Sequence, residues 1–511
     1  MFLSDLHLSY AHNLAHFDKH GFCPRKGLEP IKLGHRIDWA GDPLSDRNWC
    51  FQLHAWRMNA PVLRAWEETG DTTLLRRAFH VALDWSRFHD TKKATMSWMD
   101  MAVGLRAAQL AYFLDQIRLQ NLLPTESESR RLDRLIAGHT KRLSNPKFLT
   151  MNNHGLFQAY GLKMIEVATS AKESIADTLL DQVLQTQFTD EGVHKENSPD
   201  YHQLISKVLA SFNENGRLSN DVVATIAKAA AHQPAFVFPN GMMAAVGDTA
   251  GKGTPPLEQE RLRVDDFSAS GYLAVRKKSS MLFVTGMAQS YAHKHADELS
   301  FQFFHNGEFV FIDGGKYSYA RDEWRDYFVS ADAHNTISLV GAQIPIRSVA
   351  LTGSLLDKPT VEDGKVSITG HVERKLLFKH SRTIVYDPDS ELLIQDKLSS
   401  TEEQTFVSTL LLAPGLKPTR TNSGFELTLK SGQLLHAKTD AELEFVTGQK
   451  DPILGWWSPS YGKMEPTVAV RAYRTGKQAL IKWSITFKLL YLCVFDDGTF
   501  SAAAAAVGLL A

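Results

Sequence analysis

Cysteine is scarce: the 511 residues hold three, Cys23, Cys50 and Cys493, with no C-x-x-C pair among them. That argues against a thiolate zinc cluster or a disulfide framework as the organiser of the fold. An excess of charge is also missing. Lys and Arg total 56 against 57 Asp and Glu, a formal net charge of −1, so no global field gathers nucleic acid or an anionic membrane. An acidic polymer would have to be held by local basic clusters. Long apolar runs are absent too, since no segment approaches the ~20 apolar residues that span a bilayer. The C-terminal SAAAAAVGLLA is apolar but short and reads as a tail. The opening MFLSDLHLSYAHN has no basic n-region and no apolar h-region, so no signal peptide is expected. The expected location is the cytoplasm, or the periplasm or exterior if a leader has been removed. What remains is an ordinary globular composition in a chain long enough for two or more domains.

The first half repeats apolar residues at helical spacing. FQLHAWRMNAPVLRAWEETG, VGLRAAQLAYFLDQIRL, GLFQAYGLKMIEVA and YHQLISKVLASF are examples, separated by short Gly, Asn, Asp or Pro breaks. Helices of similar length in succession predict stacked hairpins, as a solenoid or a closed toroid. The pattern changes after about residue 235, where PAFVFPNGMMAAVGDTAGKGTPPLEQE has no helical period and reads as a linker. From there the chain alternates with a period of two, in LSFQFFHNGEFVFID, SRTIVYDPDSELLIQDKL and TVAVRAYRTGKQALIKWSITF, joined by NG, DPDS and TG turns. Antiparallel sheets packed as a sandwich follow. The expected domains are a helical domain over 1–250 and an antiparallel β-sandwich over 251–511.

Three constellations carry chemistry. In TMNNHGLFQAYG, one asparagine suffices to cap a helix, so Asn153 and His154 beside Asn152 exceed what a cap requires. In DEGVHKENSPDYHQL, Pro199 suits the first helical position, with Ser198 or Asn197 as the cap. Tyr201 then lies in the first turn, where the helix dipole modestly favours a phenolate. Taken alone, packing with a solvated hydroxyl is the simpler reading. The third is SYAHKHADELSFQFFHNGEFVFIDGG. His293 and His295 share a face if the segment is a strand. A hairpin through HNGE brings Asp313 back beside them, and His334 opens a later strand. His295, Asp313 and His334 then form either a buried hydrogen-bond network or a three-ligand metal site. Two imidazoles and a carboxylate suit Zn²⁺. A cationic group completes the set: Arg106, Lys195, Lys316, Arg321 and Arg325. Arg106 stands out because it interrupts an apolar helical face.

NNHG, E-x-SP-x-YH, H-x-H-A-D-x-LSF, the strand ending DGG-x-YSY, and WR-x-YF followed by AHNT occur in this order. Together they resemble the heparinase II/III-like polysaccharide lyases, a group that includes oligoalginate lyases, over roughly residues 40 to 390. The resemblance implies an (α/α) toroid followed by an antiparallel β-sandwich, and β-elimination on an acidic polysaccharide or oligosaccharide containing uronate. Asn153 would neutralise the uronate carboxylate, helped by His154. Tyr201 would be the Brønsted acid and often also the base, with His293 as partner base. His295, Asp313 and His334 match the family's metal triad, implying a structural divalent ion, zinc by ligand type. Arg106, Lys195, Tyr317 and Arg325 are the candidate substrate-binding residues.

The chemistry suits these residue types. Removing the C5 proton of a uronate builds an enolate-like dianion, so the site must neutralise the carboxylate as charge develops. A base must reach C5 and an acid must protonate the leaving oxygen. Tyr and His fill both roles without a carboxylate that would repel the substrate, unlike the paired carboxylates of glycoside hydrolases. Glycosaminoglycans (heparin or heparan sulfate, hyaluronate, chondroitin) are the first expected substrates, then alginate or a bacterial exopolysaccharide. The competing readings are a metal-dependent glycan hydrolase built on His295, Asp313 and His334, and a non-catalytic glycan-binding protein.

Overall fold

A computed structural model describes residues 1–487, apart from Ser9, Ala11, Lys26 and residues 92–95. The apolar tail and Cys493 lie outside the described residues. The chain forms two compact units, Met1–Gly192 with Gln203–Ala231, and Val193–His202 with the chain from His232 onward.

The first unit is helical. Its helices include Arg47–His54, Asn59–Thr69, Thr72–Thr91, Asp100–Leu119, Glu126–Leu143, Asn153–Thr169 and Ile175–Gln187, the succession expected of an (α/α) toroid. The helix Asp100–Leu119 is buried without a break over residues 102–113, so it presents no solvent face and must lie inside the unit. It packs on Asn153–Thr169 at a distance that only glycine permits. A Cβ on Gly104 would lie 2.2 Å from the Phe157 carbonyl oxygen, and one on Gly161 2.2 Å from that of Gly104. Outer helices are amphipathic instead. Glu126–Leu143 opens with a Thr125/Glu128 capping box and buries Leu132, Leu135, His139 and Leu143 along one stripe. The indoles of Trp49, Trp56 and Trp85 fill the core with Tyr112, Tyr160 and Phe212.

The second unit is the expected antiparallel sandwich. One sheet orders Arg263–Phe267, Tyr272–Lys277, Ser280–Thr285, Phe301–His305 and Glu308–Phe311 side by side. The other is built on two long strands, Glu391–Leu411 and Val468–Thr486, paired through Leu392↔Ile485 and Ile394↔Trp483 and flanked by Phe378–Asp387 and Lys365–Arg374. The alternation of Val366, Ile368, Ile384, Tyr386, Leu392 and Ile394 puts one face of this sheet into a core shared with Leu273, Val275, Leu282, Phe301 and Phe303. The predicted HNG turn forms: His305 pairs with Glu308, and Asn306 and Gly307 take positive φ values of 49° and 87°. Mirror-image turns of this kind need that left-handed backbone.

The smaller sheet is covered on both faces. Tyr272, Ala274, Met281, Phe283 and Phe304 point away from the sandwich core and are capped by Val193, Phe236, Phe238, Ala244 and Val246. The strand Ser280–Thr285 is therefore buried at every position. Residues 193–202 and 232–250, expected in the helical domain, belong to the strand unit because they supply this cover.

Within the sandwich a carboxylate is buried entirely. Asp396 accepts bonds from Arg382 Nε (2.6 Å), Arg382 Nη2 (2.9 Å) and Ser408 Oγ (3.2 Å), with His380 Nε2 at 2.8 Å. Burial alone would raise its pKa, but Arg382 and His380 outweigh burial and hold the carboxyl far below the usual carboxylate range. A depressed folded-state pKa adds stability above the unfolded value of ~3.9 and loses it as pH falls below that. Asp396→Asn is expected to cost about 3–5 kcal/mol at pH 7, since it leaves a buried guanidinium unpaired. The penalty should shrink below pH ~4; urea denaturation of both proteins across that range checks it.

Candidate functional site

The head of the stretch SYAHKHADELSF is not a strand. Residues 289–300 run as turns and bends between strands, and His293 has a left-handed φ of 55°. The expectation that His293 and His295 share a strand face is thus corrected. Their rings are brought together by a different route. Asp248 takes both, with His293 Nδ1 3.0 Å from Oδ2 and His295 Nε2 3.1 Å from Oδ1. Arg325 Nη2 donates to the same Oδ1 at 2.6 Å. Burial opposes ionisation of Asp248, yet the bonds from His293 and His295 and the charge of Arg325 prevail, and its pKa lies far below the ordinary carboxylate range.

The turn carrying Asp248 is held closely. Gly247 has φ 49°, and a Cβ there would sit 2.2 Å from the His293 carbonyl and 2.5 Å from that of Asn197. Its N–H donates to Asp297 at 3.1 Å, so Asp297 in the same HADE stretch supports the Asp248 turn. Lys294 is buried against Glu298 at 3.0 Å, and Arg374 closes that ion cluster. Much of the charge in this stretch is therefore structural.

Tyr201 comes from residues 193–202, which are pinned to the same unit. Asn197 Nδ2 donates to the carbonyls of Ser290 (2.8 Å) and Ala292 (2.9 Å), and Ser198 Oγ meets Thr249 Oγ1 at 2.8 Å. Asn197 is a tether rather than a cap. The cap is Ser198, whose Oγ accepts from Tyr201 N at 3.4 Å ahead of the helix Pro199–Phe212. The Tyr201 ring stacks on His293 with centroids 3.7 Å apart and 23° between planes. Glu196 Oε2 lies 3.6 Å from His293 Nε2, and burial raises its pKa despite His293.

Asn153 and His154 belong to the helical unit. Asn152 does the capping, accepting from His154 N at 2.9 Å. Asn153 is thus not needed as a cap, and its buried Oδ1 has no hydrogen-bond partner. His154 Nδ1 lies 3.0 Å from Asp100 Oδ1.

Of the expected substrate-binding residues, Arg106 has no exposed face. Arg106 is fully buried, donating to the carbonyls of His54 (2.7 Å) and Ser97 (2.8 Å), with its guanidinium 4.3 Å from the Trp85 ring centroid. Desolvation pulls its pKa down to about 9. It is a core cation with no face for a ligand. Tyr317 stacks on Phe328 at 5.3 Å and is half-buried. Two residues on, Tyr319 is 51 % exposed. Burial, and after it the neighbouring Tyr201 phenol, raise the Tyr319 pKa. Lys195 is half-buried, and its carbonyl accepts from Ser290 Oγ at 2.7 Å. Arg325 stands beside Asp248, with its Nη1 on the Lys316 carbonyl at 2.7 Å.

Asp313 and His334 also meet, with His334 Nδ1 2.7 Å from Asp313 Oδ2, and the His295 and His334 ring centroids are 5.3 Å apart. Burial disfavours the His334 imidazolium, but Asp313 and nearby carboxylates raise its pKa overall. Burial lowers that of His295 despite Asp248. Among the described residues no three His, Cys, Asp or Glu side chains converge as a metal-ligand group. Two buried nitrogens here, His295 Nδ1 and His334 Nε2, have no hydrogen-bond partner.

Residues 9–257 match the family described as Heparinase II/III N-terminus, and residues 260–484 that described as Heparinase II/III-like, C-terminal. The chain belongs to the heparinase II/III-like family. Among its relatives is a heparin-sulfate lyase of Bacteroides stercoris, 20% identical and covering 87% of this chain and 76% of the relative. A mutant heparan sulfate lyase structure from Pedobacter heparinus superposes with a TM-score of 0.73 at 16% identity, over 95% of this chain and 86% of that one. A chondroitin AC lyase mutant of Streptomyces coelicolor A3 reaches 0.56 at 10% identity, over 92% and 81%. These similarities match the toroid-plus-sandwich fold class. No described helix is long and apolar enough to cross a membrane.

Motif reading missed Asp248, Glu196 and Tyr319 as site members. Asp248 sits in a Gly-rich segment that reads as linker; its one signal is a lone acid between Gly247 and Thr249. Asp248→Asn is expected to cost about 1–3 kcal/mol of stability at pH 7, because the buried donors facing it lose a charged acceptor. Chemical denaturation at pH 7 checks this.

Proposed function

We propose that the protein is a polysaccharide lyase that cleaves a uronate-containing glycosaminoglycan by β-elimination. The observation that carries this reading is the stacked Tyr201–His293 pair, with His293 braced by Asp248. A phenol and an imidazole in contact can divide the removal of the C5 proton and the protonation of the leaving oxygen between them. The names of the relatives favour heparin or heparan sulfate as the first substrate to try, with hyaluronate and chondroitin next and alginate or an exopolysaccharide after them.

A paired-carboxylate hydrolysis is disfavoured by the state of Asp248. Its side chain is 4% exposed and its oxygens are bonded to His293, His295 and Arg325. Among the described residues that leaves Glu196 as the carboxyl group paired with His293, where a hydrolase needs two facing the bond.

We also infer a structural divalent cation, zinc by ligand type, held by His295, Asp313 and His334. Its support is the pair of buried, unpartnered nitrogens and a donor set that suits zinc. The ion would fix the site's geometry. Metal analysis of purified protein is expected to find about one ion per chain, lost in His295→Ala and kept in His293→Ala. A wild-type protein without metal would sink this assignment.

The function is tested by incubating the protein with a panel of uronate polymers and following the ultraviolet absorbance of the unsaturated product. Absorbance should rise on at least one glycosaminoglycan; a folded protein silent on every polymer would overturn the reading. Tyr201→Phe is expected to lower kcat about 10²–10⁴-fold, and a near-wild-type rate would remove Tyr201 from the acid's role.

A further inference from the structure

The hairpin Trp456–Ser460 with Lys463–Pro466 is docked on the segment DGGKYSY. Ser458 N donates to the Gly314 carbonyl at 2.8 Å, and Gly462 N to that of Tyr317 at 2.8 Å. Gly315, with φ 82°, permits the approach: a Cβ there would lie 2.5 Å from the Ser458 carbonyl oxygen. This docking sets Tyr461, at the tip of the hairpin, beside Tyr319. Their ring centroids are 6.1 Å apart with 46° between planes, and the residues are 58 % and 51 % exposed. Single exposed aromatics are unremarkable. Two adjacent ones, held by backbone hydrogen bonds and with Tyr319 neighbouring Tyr201, are a different matter. The Tyr319 ring also has the Arg325 guanidinium at 5.6 Å and the Lys316 ammonium at 5.9 Å.

We propose that Tyr319 and Tyr461 form an aromatic platform that binds one acidic sugar residue of the polymer next to Tyr201. This rests on the lyase reading and names a subsite within it. A pyranose presents a face of C–H groups, polarised positive, which complements the negative face of an aromatic ring. Lys316 supplies the charge that a uronate carboxylate or a sulfate requires. The two tyrosines lie close enough for one sugar ring to touch both. The platform orients the chain so that successive residues pass Tyr201, and it makes Tyr461 a determinant of affinity although it takes no part in proton transfer.

The test is binding of a heparan sulfate octasaccharide, measured by titration calorimetry in a Tyr201→Phe background so that turnover does not interfere. Adding Tyr461→Ala should weaken Kd by about tenfold, the scale of a lost aromatic contact. Tyr461→Trp should keep it within about threefold, since the ring face is retained. A Kd within about twofold in the alanine variant overturns the platform, as does failure of the Tyr201→Phe parent to bind. Circular dichroism shows whether each variant is folded. The lyase reading is judged separately, by product absorbance with the wild type. Platform-dependent binding without that absorbance would sink the activity and leave the platform standing.

Discussion

One buried carboxylate organises the strand-unit site. Asp248 holds His293 on one oxygen and His295 and Arg325 on the other. It joins a turn, a loop and the helix Glu323–Val329, which would otherwise have little reason to meet. Such a group is costly to bury alone and stabilising when fully bonded, so its partners must be in place together. The close approach allowed by Gly247 and the bond from its N–H to Asp297 serve the same end. The consequence for chemistry is that His293 is braced at Nδ1 while its ring lies flat on Tyr201. Preorganisation of this kind does not have to be established at the moment of reaction.

The same economy explains what the surrounding charges do. In HKHADE, Lys294, Asp297 and Glu298 are spent on the fold, against Arg374 and the Gly247 turn. Arg106 is spent likewise in the helical unit, boxed by indoles and carbonyls. In the strand unit Lys316 stands beside the Tyr319 ring, and Tyr201 stacks on His293. That distribution suits elimination, which needs an acid and a base near a carboxylate without adding a second one.

Legibility in the sequence followed the range of the interaction. The helical hairpins, the HNG turn and the Pro199 helix start were readable because each depends on residues a few positions apart. That one asparagine of the pair is surplus to a cap was readable for the same reason, and the structure shows it to be Asn153. The loop around His293 was misread as a strand because its alternation of His and small residues mimics period two, while its conformation is imposed by contacts with residues 247, 248 and 197. Tyr317 and Tyr319 could not be ranked, since which ring turns inward depends on Phe328 and on the docked hairpin around Tyr461.

By itself the sequence determined the two fold classes, the order of the motifs and the types of side chain available for proton transfer, because periodicity and local turn chemistry are encoded over short stretches. Only the tertiary structure decided which of the ionisable groups are spent on the fold, and that residues 193–202 fold with the strands. The reason is burial. A carboxylate or guanidinium must find partners once water is removed, and for Asp248, Arg106 and Asp396 those partners include residues between 14 and 77 positions away.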